Sequence, residues 1–217
     1  MSCAICHFRK EKRFCPAVHG RICALCCGIE REVTLDCPSD CVYLQQARQH
    51  ERARKLEELD QAALFPKVEV RDQVLYEREP LLVGLTFGIV KAARADRLLR
   101  DRDAIAALSD LASAYERIVN SGLHYEPASA NPIQQALAAE LRRMIAEYRE
   151  LEARHLGYAS LRDSEALAVI VFLLRTALAQ TSGRPKSRAF IDAMMARFPE
   201  KTGIVAPEES GSRIVMP

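Results

Sequence analysis

The chain has 217 residues, of which 49% are hydrophobic and 28% are charged, which is enough apolar sequence to fold around a core. The formal net charge of +2 gives no support to nucleic-acid binding held by electrostatics, and the longest apolar run, residues 166–174, is too short to span a membrane. The N-terminus lacks the apolar segment of a secretory signal peptide. We therefore expect a cytoplasmic protein, and in that compartment clustered cysteines bind metal more often than they form disulfides.

The first part of the chain is a cysteine array, because all eight cysteines lie between residues 3 and 41. It contains two C-x2-C units, and each unit points two thiolates at one position, as a tetrahedral zinc site requires. The last two cysteines follow a short polar hairpin and lie at a predicted helix start, which is typical of a treble-clef finger. The array predicts two zinc ions bound by eight thiolates: Cys3, Cys6, Cys15, Cys23, Cys26, Cys27, Cys37 and Cys41.

Two assignments of these thiolates to two metal ions fit the spacing. In the sequential assignment, the second C-x2-C unit shares an ion with Cys37 and Cys41, and the other four cysteines share the second ion. In the cross-braced assignment, the two C-x2-C units share one ion, and the second ion takes Cys15, Cys27, Cys37 and Cys41. His19 can substitute for Cys27 in an order similar to RING-type fingers, although the x3 spacing of the last pair departs from theirs.

Two other interpretations of the cysteines stay open. An iron–sulfur centre also uses cysteine thiolates, but the tight C-x2-C-x2-C run of bacterial ferredoxins is absent from the sequence. Buried or reactive free thiols would not need paired C-x2-C spacing. We therefore favour zinc over both.

The rest of the chain predicts helices. A charged helix is expected over residues 38–64, two helices within 69–100 broken at Pro80, and an amphipathic helix over 103–120. Pro132 opens the next helix, Asp163 or Ser164 caps an apolar helix that we place at the centre of a bundle, and a last helix follows Pro185. The predicted fold is mainly α: a cysteine-rich module at 1–44, a connecting helix at 45–66, an all-helical bundle at 67–198 and a flexible tail at 199–217.

A basic cluster follows the apolar helix. Arg184, Lys186 and Arg188 gather at a predicted helix start, where arginines and free amides favour a phosphate or a carboxylate. The alternative is an interhelical turn with solvated charges. We predict that this basic cluster binds an acidic or phosphate-bearing partner.

The motifs I-C-x2-C-C-G at residues 22–28 and C-P-x-D-C-x-Y-L at residues 37–44 carry a resemblance. They are similar to those of a group of uncharacterised bacterial proteins with a cysteine-rich, zinc-finger N-terminus and a helical C-terminal domain. The strings G-L-x-Y-E at 122–126 and G-R-P-K-S-R-A-F at 183–190 resemble two further motifs of that group. The resemblance implies the architecture predicted above, and it implies no activity.

The sequence favours a binding protein over an enzyme. All the predicted ligands are thiolates in closed sets of four, which are structural sites, whereas a catalytic zinc keeps a position for water. No nucleophile motif, phosphate-binding glycine loop or zinc-protease motif occurs, and His124, Tyr125 and Glu126 lack an identifiable partner for acid–base catalysis. We predict a zinc-binding, non-catalytic adaptor with a protein partner and no membrane contact. The alternative is a finger-bearing enzyme, either a RING-like protein-modification factor or an iron–sulfur redox protein.

Overall fold

The computed structural model describes residues 1–58, 64–124 and 131–200, with the side chains of 53–58 left out, and these residues are mainly helical. They form one two-stranded sheet, β1 (Arg13–Cys15) and β2 (Gly20–Ile22), and a short helix α1 (Ala24–Glu30). The longer elements are α2 (Val42–Glu58), α3 (Asp72–Glu77), α4 (Glu79–Ala95), α5 (Asp101–Ser121), α6 (Pro132–Leu156), α7 (Asp163–Gln180) and α8 (Ala189–Arg197). The predicted mainly α fold with an N-terminal cysteine cluster is confirmed.

The N-terminal residues form a small module with a core of its own. Strand β1 pairs with β2 in antiparallel register, with Arg13 opposite Ile22, and a single 3-10 turn joins them. Ile22 is fully buried and packs with six of the cysteines. This cluster is separate from the core of the bundle. A module this small buries little apolar surface, so its thiols take positions that a larger domain fills with aliphatic side chains.

Helix α7 lies at the centre of the bundle, as its apolar sequence predicts. Ten of its residues are buried, and it packs against α5 as well as α2, α3, α4 and α8. A helix that is apolar on all sides buries its whole surface only when other helices surround it. The bundle core is therefore built around α7.

Several predicted helix ends are corrected by the structure. Helix α2 begins at Val42, not at Pro38, and its predicted end falls partly in residues 59–63, outside the described residues. The break at Pro80 is found, since α3 ends at Glu77 and α4 carries that proline in its first turn. The N-cap of α7 is Arg162, not Asp163 or Ser164, and its backbone N–H donates to the Glu165 carboxylate.

Among the described residues, no helix is long and apolar enough to cross a membrane. Of the predicted tail at 199–217, residues 201–217 lie outside the described part of the chain. The loop that carries Tyr125 and Glu126 also lies outside it, while the neighbouring His124 is exposed.

Candidate metal centre

Four cysteines converge on one point in the N-terminal module. The Sγ atoms of the two C-x2-C units, Cys3, Cys6, Cys23 and Cys26, all lie within 4.8 Å of one another. A turn held by bonds from Cys3 N to Arg9 O and from His7 N to Cys3 O presents the first pair. The second pair lies at the N-terminus of α1, where Cys23 is the N-cap. Both pairs therefore come from short, locally hydrogen-bonded segments, and the hairpin between them brings them together.

Backbone amides point at the sulfur atoms of this cluster. Cys23 N donates to Cys3 Sγ at 3.2 Å, Ile5 N to Cys3 Sγ at 3.5 Å, and Cys26 N to Cys23 Sγ at 3.4 Å. N–H donors of this kind stabilise the thiolate relative to the thiol. The backbone of the module is thus arranged for charged sulfur, which is the form that binds metal.

The thiol pKa values of the cluster diverge. Burial raises the pKa of Cys3, but the backbone N–H groups of Cys6, Cys23 and Ile5 outweigh it and lower the value to about 6. The pKa of Cys6 is lowered mainly by the N–H groups of Arg9 and Phe8. That of Cys26 is raised to about 12, first by its hydrogen bond with Cys23 and then by burial. Thiolates this close repel one another, so all four ionise together only around a cation.

The chemistry of the four thiols fits a metal ion. Tetrahedral coordination with Zn–S bonds of about 2.3 Å places the sulfur atoms about 3.8 Å apart, which is inside the observed limit. Three of the four residues are buried, and the donor set is all sulfur. These residues can therefore hold a metal ion in a closed site of the kind that structural zinc occupies.

The other four cysteines border a small cavity. Cys15, Cys27, Cys37 and Cys41 border a cavity of about 10 Å³. Burial raises the pKa of Cys37, a backbone hydrogen bond from Glu32 opposes this, and the nearby Cys15 and Cys41 raise it further. Arg13 Nη1 donates to Cys27 Sγ at 3.6 Å, which places a positive charge beside this set. Within the described residues, no three of these four thiols meet the close spacing of the first cluster.

The remaining candidate ligand lies elsewhere. His19 ends the 3-10 turn in a left-handed conformation with φ 49°, it is exposed, and it is absent from the lining of this small cavity. His7 and His50 are exposed too. The structure thus brings together one of the two sets of the cross-braced assignment, and it places Cys27 rather than His19 beside the cavity that the other set borders.

The predicted basic cluster contacts the chain itself. Arg184 Nη1 donates to the carbonyls of Gly28 at 2.9 Å and Arg31 at 2.7 Å, and the Lys186 ammonium donates to the Thr34 carbonyl. Arg188 turns the other way and donates to the Leu99 carbonyl at 2.8 Å. Two of the three cations therefore join the bundle to the metal module, and binding of an outside partner by them stays a prediction.

A buried carboxylate at this junction was missed by the sequence analysis. Glu32 is 1% exposed and has a left-handed backbone with φ 53°. Its side chain accepts bonds from Arg48 Nη2 at 2.7 Å, Arg48 Nε at 3.2 Å and Ser182 Oγ at 2.8 Å. Arg48 also donates to Asp192 at 2.8 Å. In the sequence, Glu32 is one polar residue in a polar hairpin, and nothing nearby signals partners more than a hundred positions away.

No protein-family model, curated protein or solved structure matches the chain. The four-cysteine cluster is consistent with a zinc-finger-like module, which is the part of the bacterial resemblance that the structure supports.

Proposed function

We propose that this protein is a zinc-binding, non-catalytic interaction protein whose module holds two zinc ions in a cross-braced arrangement. The observation that carries the proposal is the convergence of Cys3, Cys6, Cys23 and Cys26 on one point. A closed set of four thiolates leaves no position for water or substrate, so a zinc ion there stabilises the module and does no chemistry. Since the module is too small to fold on apolar burial alone, zinc binding would supply the missing stability.

The cavity between the remaining cysteines supports the second zinc ion. It borders Cys15 at the end of β1, Cys27 in α1, and Cys37 and Cys41 before α2. A space of about 10 Å³ has room for about one water-sized group, so it is compatible with one ion and too small for an organic ligand. A metal there would tie the start of α2 to the hairpin.

Exposed apolar side chains on the module support an interaction role. Phe8 is 89% exposed and Ile29 on α1 is 57% exposed, and Phe14, Leu25 and Val42 are exposed as well. A module of this size with so many exposed large apolar groups presents a surface suited to another protein. The zinc ions would then hold that surface in shape.

Elemental analysis of freshly purified protein tests the metal part of the proposal. We expect about two zinc ions per chain and no visible absorption band. Cys23→Ser and Cys41→Ser should each lower the zinc content toward one ion, because each removes a ligand of a different site. Iron with broad visible absorption, or one zinc ion per chain in the unaltered protein, would contradict the two-zinc arrangement.

A surface variant tests the interaction part. Phe8→Ser combined with Ile29→Ser should keep the zinc content and reduce crosslinking to partner proteins in cells. Leu123→Ser, at an exposed position just after α5, is the matched control. Equal crosslinking by all three proteins would argue that the module surface is not the binding surface.

A further inference from the structure

A charged cleft lies between the metal module and the bundle. Its volume is about 420 Å³, within the range of sites that bind small ligands or peptide side chains. One wall is residues 36–39 of the module, and the others come from the end of α4, the turn before α5, and α8. The charged residues that line it are Asp36, Arg94, Arg97, Arg100, Arg188, Asp192 and Glu200.

The arginines outnumber the carboxylates that are available to them. Asp192 is shared between Arg188, 3.8 Å away within the cleft, and Arg48, which lies outside the cleft lining and is 2.8 Å away. Asp36 pairs with Arg100 at 3.0 Å but is itself 62% exposed, so this pair is open to competition from another anion. The Arg97 side chain is exposed and has no ion pair or hydrogen bond within the described part of the chain. The cleft therefore has a local excess of positive charge that the net charge of +2 conceals.

Two of the arginines are held in place, Arg188 by backbone carbonyls and Arg100 by burial. Arg188 Nη1 donates to the carbonyls of Arg97 at 3.0 Å and Leu99 at 2.8 Å, which ties α8 to the turn before α5. The Arg100 side chain is only 10% exposed. Guanidinium groups fixed in this way lose little side-chain entropy when an anion binds beside them.

The chain's own backbone already occupies the edge of the cleft in the manner of an acidic peptide. Arg94 Nη2 donates to the Phe198 carbonyl, and Arg94 Nε lies 3.3 Å from the Glu200 carboxylate. The Phe198 ring packs on Phe87 with 5.7 Å between ring centroids. Because Glu200 is 74% exposed, its ion pair with Arg94 is weak and open to replacement.

We propose that this cleft binds an acidic segment of a partner protein, whose carboxylates pair with Arg94 and Arg97. This rests on the proposed function as an interaction protein and names the chemistry of its partner. The contacts of residues 198–200 show the binding mode: a backbone carbonyl and a carboxylate on one guanidinium. Carboxylates at the rim, from Asp36 and Glu200, disfavour a continuous polyanion such as nucleic acid, whereas a peptide with spaced charges fits between them.

Fluorescence anisotropy with a labelled pentaglutamate peptide tests the proposal on the full-length, zinc-loaded protein. We expect saturable binding that weakens as salt is added. Arg94→Gln combined with Arg97→Gln should weaken it about tenfold, because about 1.4 kcal/mol of charge-assisted bonding is lost. Arg154→Gln, at an exposed arginine outside the cleft lining, should bind like the unaltered protein.

A second pair of variants leaves every arginine in place. Ser39 is exposed on the module wall of the cleft. Ser39→Glu should weaken peptide binding by repulsion, whereas Ser39→Gln, of the same size without the charge, should not. Unchanged binding in both the double arginine variant and Ser39→Glu would overturn the cleft as the site. Tighter binding of a single-stranded oligonucleotide, or displacement of the peptide by an equal concentration of inorganic phosphate, would overturn the acidic peptide as its ligand. The zinc content of each protein, measured separately, keeps these outcomes distinct from failure of the metal proposal.

Discussion

Replacement of Glu32 by glutamine tests whether the metal module and the bundle are held together by one buried carboxylate. The substitution preserves size and removes only the negative charge. Arg48 Nη2 and Nε and Ser182 Oγ donate to this carboxylate, and the Lys186 amide donates to the backbone carbonyl of the same residue at 2.8 Å. These donors come from α2 and from the segment between α7 and α8, so Glu32 joins three separate parts of the chain.

The expected loss follows from the bonds that glutamine cannot replace. A hydrogen bond to a charged group contributes about 1.5–3 kcal/mol, and the amide oxygen of glutamine retains part of one such bond. Arg48 is left with an uncharged neighbour, but its bond to Asp192 at 2.8 Å remains and limits the cost of the buried cation. We therefore expect a loss of about 3 kcal/mol in the free energy of unfolding. For a chain of this size that corresponds to a decrease of about 6–12 °C in Tm.

Thermal unfolding of the zinc-loaded protein, followed by circular dichroism at 222 nm, measures this loss. Glu30→Gln is the matched control, since the Glu30 carboxylate accepts an exposed bond from Thr34 Oγ1 and its replacement should change stability by less than about 0.5 kcal/mol. If the two variants melt within about 2 °C of each other, the Glu32 carboxylate does not hold the junction and the reasoning fails.

Three further predictions concern the packing of α4, acid stability and metal removal. A Cβ at Gly88 would overlap Met144 Sδ, so Gly88→Ala should lower the free energy of unfolding in urea by about 1 kcal/mol. A Cβ at Gly84 would lie 4.0 Å from Met144 Cε, so Gly84→Ala should raise that free energy by up to about 1 kcal/mol. Burial raises the pKa of Glu165, but bonds from Arg162 and Arg78 outweigh it and lower the pKa below its ordinary value of 4.5. The ionised Glu165 carboxylate therefore stabilises the folded protein fully above pH 4.5, and this stabilisation is lost as the pH falls through the lowered pKa of the folded state. Because Arg78→Met removes part of that stabilisation, its Tm should fall less steeply on acidification below about pH 5. Removal of zinc with a chelator should leave most of the helical signal, because the bundle has its own core, and should lower its Tm.

Each of these three predictions has a result that would contradict it. Equal unfolding midpoints for the two glycine variants would show that Met144 moves aside without cost. An acid profile of Arg78→Met parallel to that of the unaltered protein would show that the ion pair does not set the titration of Glu165. Collapse of the whole helical signal on chelation would show that the two cores unfold as one unit.

The sequence alone determined the features that depend on neighbouring residues. The C-x2-C spacing places two thiols on one side of a turn, and the structure brings the two such units together. The periodic apolar residues predicted α4 to α7, and the apolar sequence of α7 predicted its central position. Patterns of this kind are visible in sequence because side chains three or four positions apart share a helix face.

Other features were decided only by the tertiary structure. The spacing fits both assignments of the cysteines, and only the folded module brings residues 3–6 beside 23–26, as the first set of the cross-braced assignment requires. Arg184 and Lys186 were predicted to meet an outside anion, yet their observed acceptors are carbonyls of the metal module. Every residue has a backbone carbonyl, so such acceptors leave no mark in the sequence. The cleft shows the same limit: Arg94, Arg97 and Arg100 are close in the chain, but Arg188 and the module wall join them only after the bundle has packed.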